Sequence, residues 1–296
     1  MQFLAYILVY PFLWLISILP FRLLYAFSDF LYFWIYKVIG YRKKVVQNNL
    51  RLVFPEKKQS EINDITTKFY HHLCDMVVEA IKSLTISEDE MKKRFRFTNL
   101  DLLHNIENQG KSTMLMCAHY ASWEWIFILQ KYLKSRGYAV YKRLANPYFD
   151  RLVKRIRAKY NSYLITTKET IPTLIEAKSK GELTINGFAS DQTAKPHNAL
   201  HWGEFMGYKV PMHTGAEMLS KKLDMPVVFL KVKRAERGFY EASFELIAMN
   251  PNEYKDYEIT DKFFRLVEKQ IFEAPQYYLW THKRWKHKDI VPEKFK

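Results

Sequence analysis

Residues 1–21 carry no charged side chain and are mostly Leu, Ile, Phe, Tyr and Trp. A helix made of them has no polar face for water, and a bilayer crossing takes about 20 such residues. Pro11 would bend that helix, which membrane segments tolerate. No basic residue precedes the run and no small-x-small site ends it, so a cleaved leader is not expected. Residues 21–40 are again aromatic-rich but interrupted by Arg22, Asp29 and Lys37, which predicts a helix lying in the membrane interface. Arg42, Lys43 and Lys44 follow, as expected on a cytoplasmic side. Two buried helices of a soluble protein are the competing reading of the same residues.

Helical periodicity resumes at 45–53, where Phe54-Pro55 ends it, and again at 59–84. Ser87-Glu88-Asp89-Glu90 reads as a helix start. From Arg94 the pattern alternates. Short apolar runs at 113–118, 138–142, 183–188, 226–232 and 240–246 predict strands. Helical patterns at 122–134, 148–160, 171–180 and 214–222 lie between several of them. Such alternation predicts an α/β fold with a mainly parallel central sheet flanked by helices. No repeat or long linker divides the later part, so the chain reads as a membrane-associated extension, 1–44, and one domain, 45–296.

Charge narrows the partners. Lys and Arg number 46 against 31 Asp and Glu, a formal +15, which favours nucleic acid, an acidic membrane surface or an acidic protein. The apolar amino terminus points to the membrane. Trp280-Thr281-His282-Lys283-Arg284-Trp285-Lys286-His287-Lys288 mixes aromatic and basic residues, a combination that suits stacked bases and phosphates. Beside a membrane segment, an interfacial belt or a structural role for the tryptophans is the simpler account, and no nucleic acid is expected. Cys74 and Cys117 lie in apolar patterns without metal-ligand spacing, which fits a reducing compartment and implies no metal. The adjacent His71 and His72 point to different faces of a helix and share no metal.

Several catalytic motifs are absent. Gly110-Lys111-Ser112-Thr113 lacks the upstream glycine of a P-loop and precedes a strand, not a helix. There is no G-x-S-x-G elbow and no H-E-x-x-H pair. The run Thr113-Met114-Leu115-Met116-Cys117-Ala118 instead ends in His119, with Glu124 five residues on. A histidine where a strand gives way to a helix sits where open α/β sheets place ligands. With a carboxylate to fix its tautomer it can act as general base on a hydroxyl or amine that a substrate brings in. By spacing alone such a pair is more often incidental.

His119 through Glu124 fits H-x-x-x-x-[DE], with Trp123 before the acid, and the chain resembles the lysophospholipid acyltransferase superfamily. More narrowly it resembles the bacterial lipid A late acyltransferases. Asn48-Asn49-Leu50 and Phe54-Pro55 are similar to that family's opening. Arg143 with Asn146-Pro147-Tyr148-Phe149-Asp150 is similar to its basic-x-x-Asn-Pro-x-x-Asp block, and Asp191-Gln192 to its Asp-Gln. Phe205-Met206-Gly207, Pro211 and Thr214-Gly215 resemble the Phe-Phe-Gly and Pro-x-x-x-Gly that follow. Pro275-Gln276-Tyr277-Tyr278-Leu279-Trp280-Thr281-His282-Lys283-Arg284-Trp285 resembles the closing signature. Met206 stands where the family has an aromatic, and 193–204 follows no family pattern. These departures bear on acceptor and chain length more than on the reaction.

The resemblance implies O-acyl transfer from acyl-acyl carrier protein, or alternatively acyl-CoA, to an anionic lipid A precursor at the cytoplasmic face of a bacterial inner membrane, with no cofactor. His119 would be the general base and Glu124 would hold its second ring nitrogen. Arg143 would bind an anionic group of acceptor or carrier, unless it is a solvated charge at a strand end. Asn146 would help bind substrate. Asp191 and Gln192 would orient the surroundings of His119 or bind a sugar hydroxyl, or else form a turn that caps the sheet. A lysophospholipid or amino-acid lipid acceptor is the alternative within the class. A non-enzymatic membrane protein that binds nucleic acid or an acidic partner is the alternative outside it.

Overall fold

The computed structural model describes residues 1–295. In chain order the elements are α1 (Gln2–Ile18), α2 (Phe21–Tyr32), α3 (Lys43–Val53), α4 (Gln59–Lys82), α5 (Glu88–Arg94), β1 (Phe95–Phe97), α6 (Asp101–Asn108), β2 (Thr113–Cys117) and β3 (Arg136–Tyr141). There follow α7 (Pro147–Arg157), β4 (Ser162–Thr166), α8 (Thr170–Ser179), β5 (Thr184–Ala189), β6 (His201–Phe205), β7 (Tyr208–Met212), α9 (Gly215–Leu223), β8 (Val227–Glu236), β9 (Phe239–Ala248) and α10 (Glu258–Glu273).

Seven strands form one sheet in the order β1-β9-β8-β2-β5-β3-β4. From β8 to β4 all neighbours run parallel, while β9 turns back antiparallel to β8 and carries β1 with it. Helices flank this sheet, so the expected α/β architecture with a mainly parallel sheet is present. Central strands are apolar on both faces because helices cover both; Val227, Val228, Phe229 and Leu230 are all buried. A separate hairpin of β6 and β7 turns at Met206 and Gly207, both at positive φ. That geometry matches the twist of a two-residue hairpin loop.

All five predicted strands are present, four of them shifted by a residue or two at their ends and β8 running four residues further, to Glu236. The helix predicted at 122–134 is not. The chain reverses at Ala121, whose φ is 49°, and only a 3-10 segment, Trp125–Lys131, follows. Tertiary anchoring decides this: buried Trp125 donates its indole N–H to the Glu79 carbonyl and to Ser83 Oγ on and beside α4. The sequence pattern also did not single out β1, β4, the β6–β7 hairpin, α6 or α10.

The amino terminus needs correction. Among the described residues no helix is long and apolar enough to cross a membrane. α1 has 17 residues, about 25 Å of helix against roughly 30 Å of hydrocarbon. Pro20 lacks the N–H to continue it and starts α2. α1 also lies along the domain. Its first turn meets α7, where Asn146 Nδ2 donates to the Gln2 carbonyl at 3.1 Å. At its far end Lys82 Nζ donates to the carbonyls of Ser17 and Leu19 at 2.8 and 2.7 Å. A helix fastened at both ends cannot stand away from its domain. Its outward side chains, Leu4, Ile7, Leu8, Phe12, Leu15 and Ile18, remain exposed.

α4 holds the extension in place electrostatically. Buried Asp75 accepts from Ser28 Oγ on α2, from Arg234 on β8 and from Arg237 of the β8–β9 turn. Arg237 also bridges to Asp29 on α2 at 2.6 Å. Glu79 accepts from the hydroxyls of Tyr25 and Tyr240. Each buried carboxylate is thus fully partnered, which is the condition for tolerating it there.

Candidate active site

β2 and β5 are neighbouring parallel strands in the register Cys117↔Ala189. Two residues beyond each end stand His119 and Asp191. The strands therefore deliver the imidazole and the carboxylate to one level at their carboxyl ends, where sheets of this kind bind ligands. His119 Nδ1 lies 2.7 Å from Asp191 Oδ1, and the His119 backbone N–H donates to the same oxygen at 3.1 Å. Asp191 is 1% exposed, whereas the His119 side chain keeps 21% of its surface open. One ring nitrogen is fixed from inside and the other can be reached from outside.

Burial by itself would lower the pKa of His119, but the charge of Asp191 and its hydrogen bond outweigh this and the net shift is upward. Burial pushes Asp191 the other way, upward, yet the facing imidazole and the donated N–H groups hold it below its ordinary value. A carboxylate acceptor at Nδ1 places the neutral ring's proton there and leaves Nε2 with its lone pair. The Gln192 side-chain amide nitrogen is 3.3 Å from Nε2 and can donate to that lone pair.

Glu124 does not hold the ring, contrary to the sequence expectation. Arg157 takes it bidentately, Nε to Oε2 at 3.0 Å and Nη2 to Oε1 at 2.5 Å. Two causes are visible. The left-handed turn at Ala121 breaks the helical relation that the spacing presumed. The fork of Arg157, from the last turn of α7, matches a carboxylate better than one ring N–H does. Glu124 still stands near enough for its charge to help raise the pKa of His119, and Trp123 lies edge-on to the ring at 5.3 Å.

The carboxyl-terminal segment closes the site from behind. Leu279 N–H donates to the His119 carbonyl and Ala121 N–H to the Tyr277 carbonyl. Asn49 Nδ2 donates to the carbonyls of Trp280 and His282, both at 2.9 Å. His282 Nε2 accepts from Thr193 N–H, and burial drives its pKa down to about 4. Trp280, Arg284 and Trp285 are buried. Arg284 lies against the rings of Phe205 and Phe264, at 5.2 and 5.1 Å. Those residues are core, not an interfacial belt or a nucleic-acid surface. Lys283 and Lys286 remain exposed beside them.

The remaining sequence candidates lie apart from the ring. Asn146 is the N-cap of α7, its Oδ1 accepting from the N–H groups of Tyr148 and Phe149. Asp150 accepts from Tyr141 O–H and Leu144 N–H, tying the preceding loop. The Asn-Pro-x-x-Asp block thus builds the start of a helix. Arg143 is exposed in the loop after β3, with Glu169 in its field. Arg157 was missed: in the sequence it is one basic residue among several on a helix. Among the described residues no cluster of His, Cys, Asp or Glu has the makings of a metal site.

An imidazole with a buried carboxylate on one nitrogen and a lone pair on the other can take a proton from an incoming nucleophile that displaces the Gln192 amide. The comparisons supply the class of reaction. Residues 1–287 match the family described as bacterial lipid A biosynthesis acyltransferase. The lipid A biosynthesis lauroyltransferase of Escherichia coli (strain K12) is 24% identical over 288 residues, 96% of this chain and 92% of that protein. The palmitoleoyltransferase of the same organism is 23% identical over 258 residues, 84% of this chain and 80% of its own. A lipid A biosynthesis acyltransferase of Haemophilus influenzae is 23% identical over 274 residues, with shares of 91% and 83%. A match of this extent, on a fold that brings the Asp-Gln block to the histidine of the first motif, makes the chain a member of the bacterial lipid A biosynthesis acyltransferase family, an enzyme of acyl transfer.

Proposed function

We propose that this enzyme transfers a fatty acyl chain from acyl-acyl carrier protein to a hydroxyl of a lipid A precursor, with His119 as general base. The observation that carries this is the His119–Asp191 pair, presented at the ends of adjacent strands, with a His119 side chain that stays partly exposed and whose Nε2 meets the amide of Gln192. The acceptor hydroxyl gives its proton to Nε2 as its oxygen bonds to the thioester carbon. The C–S bond then breaks and the leaving thiolate takes the proton back, so no acyl-enzyme is needed. Asp191 keeps the tautomer and stabilises the imidazolium. Gln192 yields its place at Nε2 to the acceptor hydroxyl. Glu124, held rigid by Arg157, adds negative potential beside the ring.

The exposed apolar face of α1 supports seating on one leaflet, not spanning, because both of its ends are tied to the domain. Arg42, Lys43 and Lys44 beside it support the cytoplasmic leaflet of the inner membrane, the side of an acyl carrier protein donor. The formal charge of +15 suits an acidic carrier and a phosphorylated acceptor. Mass spectrometry of lipid A from a deletion strain, alone and complemented with wild type or His119→Ala, tests the reading. A secondary acyl chain restored by wild type alone is expected. An unchanged lipid A with an altered phospholipid or aminolipid pool would move the acceptor elsewhere.

A further inference from the structure

α7 carries a charge pattern that the chemistry above does not use. Arg151, Lys154 and Arg155 stand at i, i+3 and i+4 on its outer face, and Lys142 and Arg143 are exposed in the loop before it. Among the described residues, none of the five meets a carboxylate within ion-pair distance. Exposed lysines on other helices do, as in Lys68–Asp64 and Lys180–Glu176. Arg151 bonds the Pro147 carbonyl of its own helix and lies over the Tyr148 ring, while Lys154 lies over Tyr141. The one acid of α7, Asp150, is turned inward. Glu169, in the field of Lys154 and Arg143, is engaged by the N–H and hydroxyl of Thr166.

The position of this face matters as much as its charge. The start of α7 is bonded to the first turn of α1, and an aromatic seam joins them. Phe3 and Tyr6 meet Tyr148 at 5.0 and 5.7 Å, and Tyr6 meets Phe149 at 5.5 Å. The exposed apolar side of α1 therefore passes through a row of aromatic rings into uncompensated guanidinium and ammonium groups. Hydrocarbon, interface and phosphate present that same sequence of environments at a bilayer surface. At its other end α7 reaches the site through Arg157 and Glu124.

We propose that the outer face of α7, together with Arg143, is a docking surface for anionic lipid headgroups, which seats the enzyme preferentially on negatively charged bilayers. This rests on α1 lying in one leaflet, as argued above. Apolar burial by α1 gives attachment to any bilayer. The basic face adds a part that depends on lipid charge and is screened by salt.

Sedimentation of the full-length protein with vesicles of phosphatidylcholine, alone or mixed with phosphatidylglycerol, separates the two parts. Wild type should bind both, the mixed vesicles more tightly, with an excess that shrinks as salt rises. The triple variant R151Q/K154Q/R155Q should lose that excess by roughly 10- to 100-fold, from the usual contribution of a basic residue near an anionic surface. Its binding to phosphatidylcholine and its thermal melting should stay unchanged. The equally charge-reduced K255Q/K262Q/K269Q should keep the excess. A triple variant that still prefers anionic vesicles, or a control that loses the preference equally, overturns the proposal. So does a variant whose only defect is a raised KM for acyl-acyl carrier protein, which would make the face a carrier site. Wild type that fails to bind phosphatidylcholine would instead sink the seating of α1.

Discussion

A histidine is an acyl-transfer base only if one ring nitrogen is committed and the other is free, and Asp191 makes that commitment here. Replacing it with Asn keeps the shape and removes the charge. Asp191→Asn should lower kcat by about 10²–10⁴-fold, the range for losing the orientation and charge support of a general base. The acidic limb of kcat/KM should move as well. In wild type, activity rises as His119 deprotonates through a pKa above its ordinary 6.5; in the variant, burial is opposed only by the weaker charge of Glu124 and the limb moves downward. A limb that does not move downward would show that Asp191 does not set the state of the ring.

The same pair links stability to pH. The contribution of His119, with its raised pKa, is complete below 6.5 and fades as pH climbs through the raised value. That of Asp191, with its lowered pKa, is complete above 3.8 and fades as pH drops through the lowered value. Urea unfolding of wild type and Asp191→Asn should therefore differ most between pH 3.8 and 6.5. For Glu124 the test is coupling: Glu124→Gln and Arg157→Gln should impair kcat to similar degrees, and the double variant should be little worse than either. Additive losses would separate the two residues.

At the scale of elements, strand register does what local spacing cannot. Cys117 and Ala189 are paired, so His119 and Asp191 meet although 72 residues separate them. The strands themselves were readable as short apolar runs with turn residues at their ends. Which strands lie side by side was not, because a βαβ pattern leaves strand order open. The helix predicted at 122–134 failed for a related reason. Its apolar spacing is genuine, but Trp125 is drawn to α4 and the turn at Ala121 leaves only a 3-10 segment. The closing segment adds a third element to the site, and Asn49 fastens it through two carbonyls. Asn49→Ala should leave the Trp280 carbonyl unpaired in a buried place, while the His282 carbonyl keeps the Arg284 N–H; the cost is about 1–3 kcal/mol, read as a lower urea midpoint with an unchanged slope. Activity should fall with it, since Leu279 of that segment bonds the His119 carbonyl.

For the whole molecule the question is how an apolar helix and a basic surface meet one membrane. α1 is tied to α7 at one end and to α4 at the other, so its outward side chains form a flat apolar face. Placing a carboxylate in that face should oppose insertion without touching the core. Leu8→Asp with Phe12→Asp, both exposed residues, should shift the protein from the membrane pellet to the supernatant and leave its thermal transition in place. A variant that stays with the membrane would mean that other parts of the surface suffice for attachment.

The sequence by itself determined the alternation of strand and helix, the apolar amino terminus, the basic balance and the histidine of the first motif, because each is carried by residues close together in the chain. Tertiary structure alone decided which carboxylate faces that histidine, that Glu124 belongs to Arg157, and that α1 lies on the domain instead of crossing a bilayer. Those outcomes depend on strand order, on one left-handed turn and on contacts between residues far apart in the chain, for which local periodicity carries no signal.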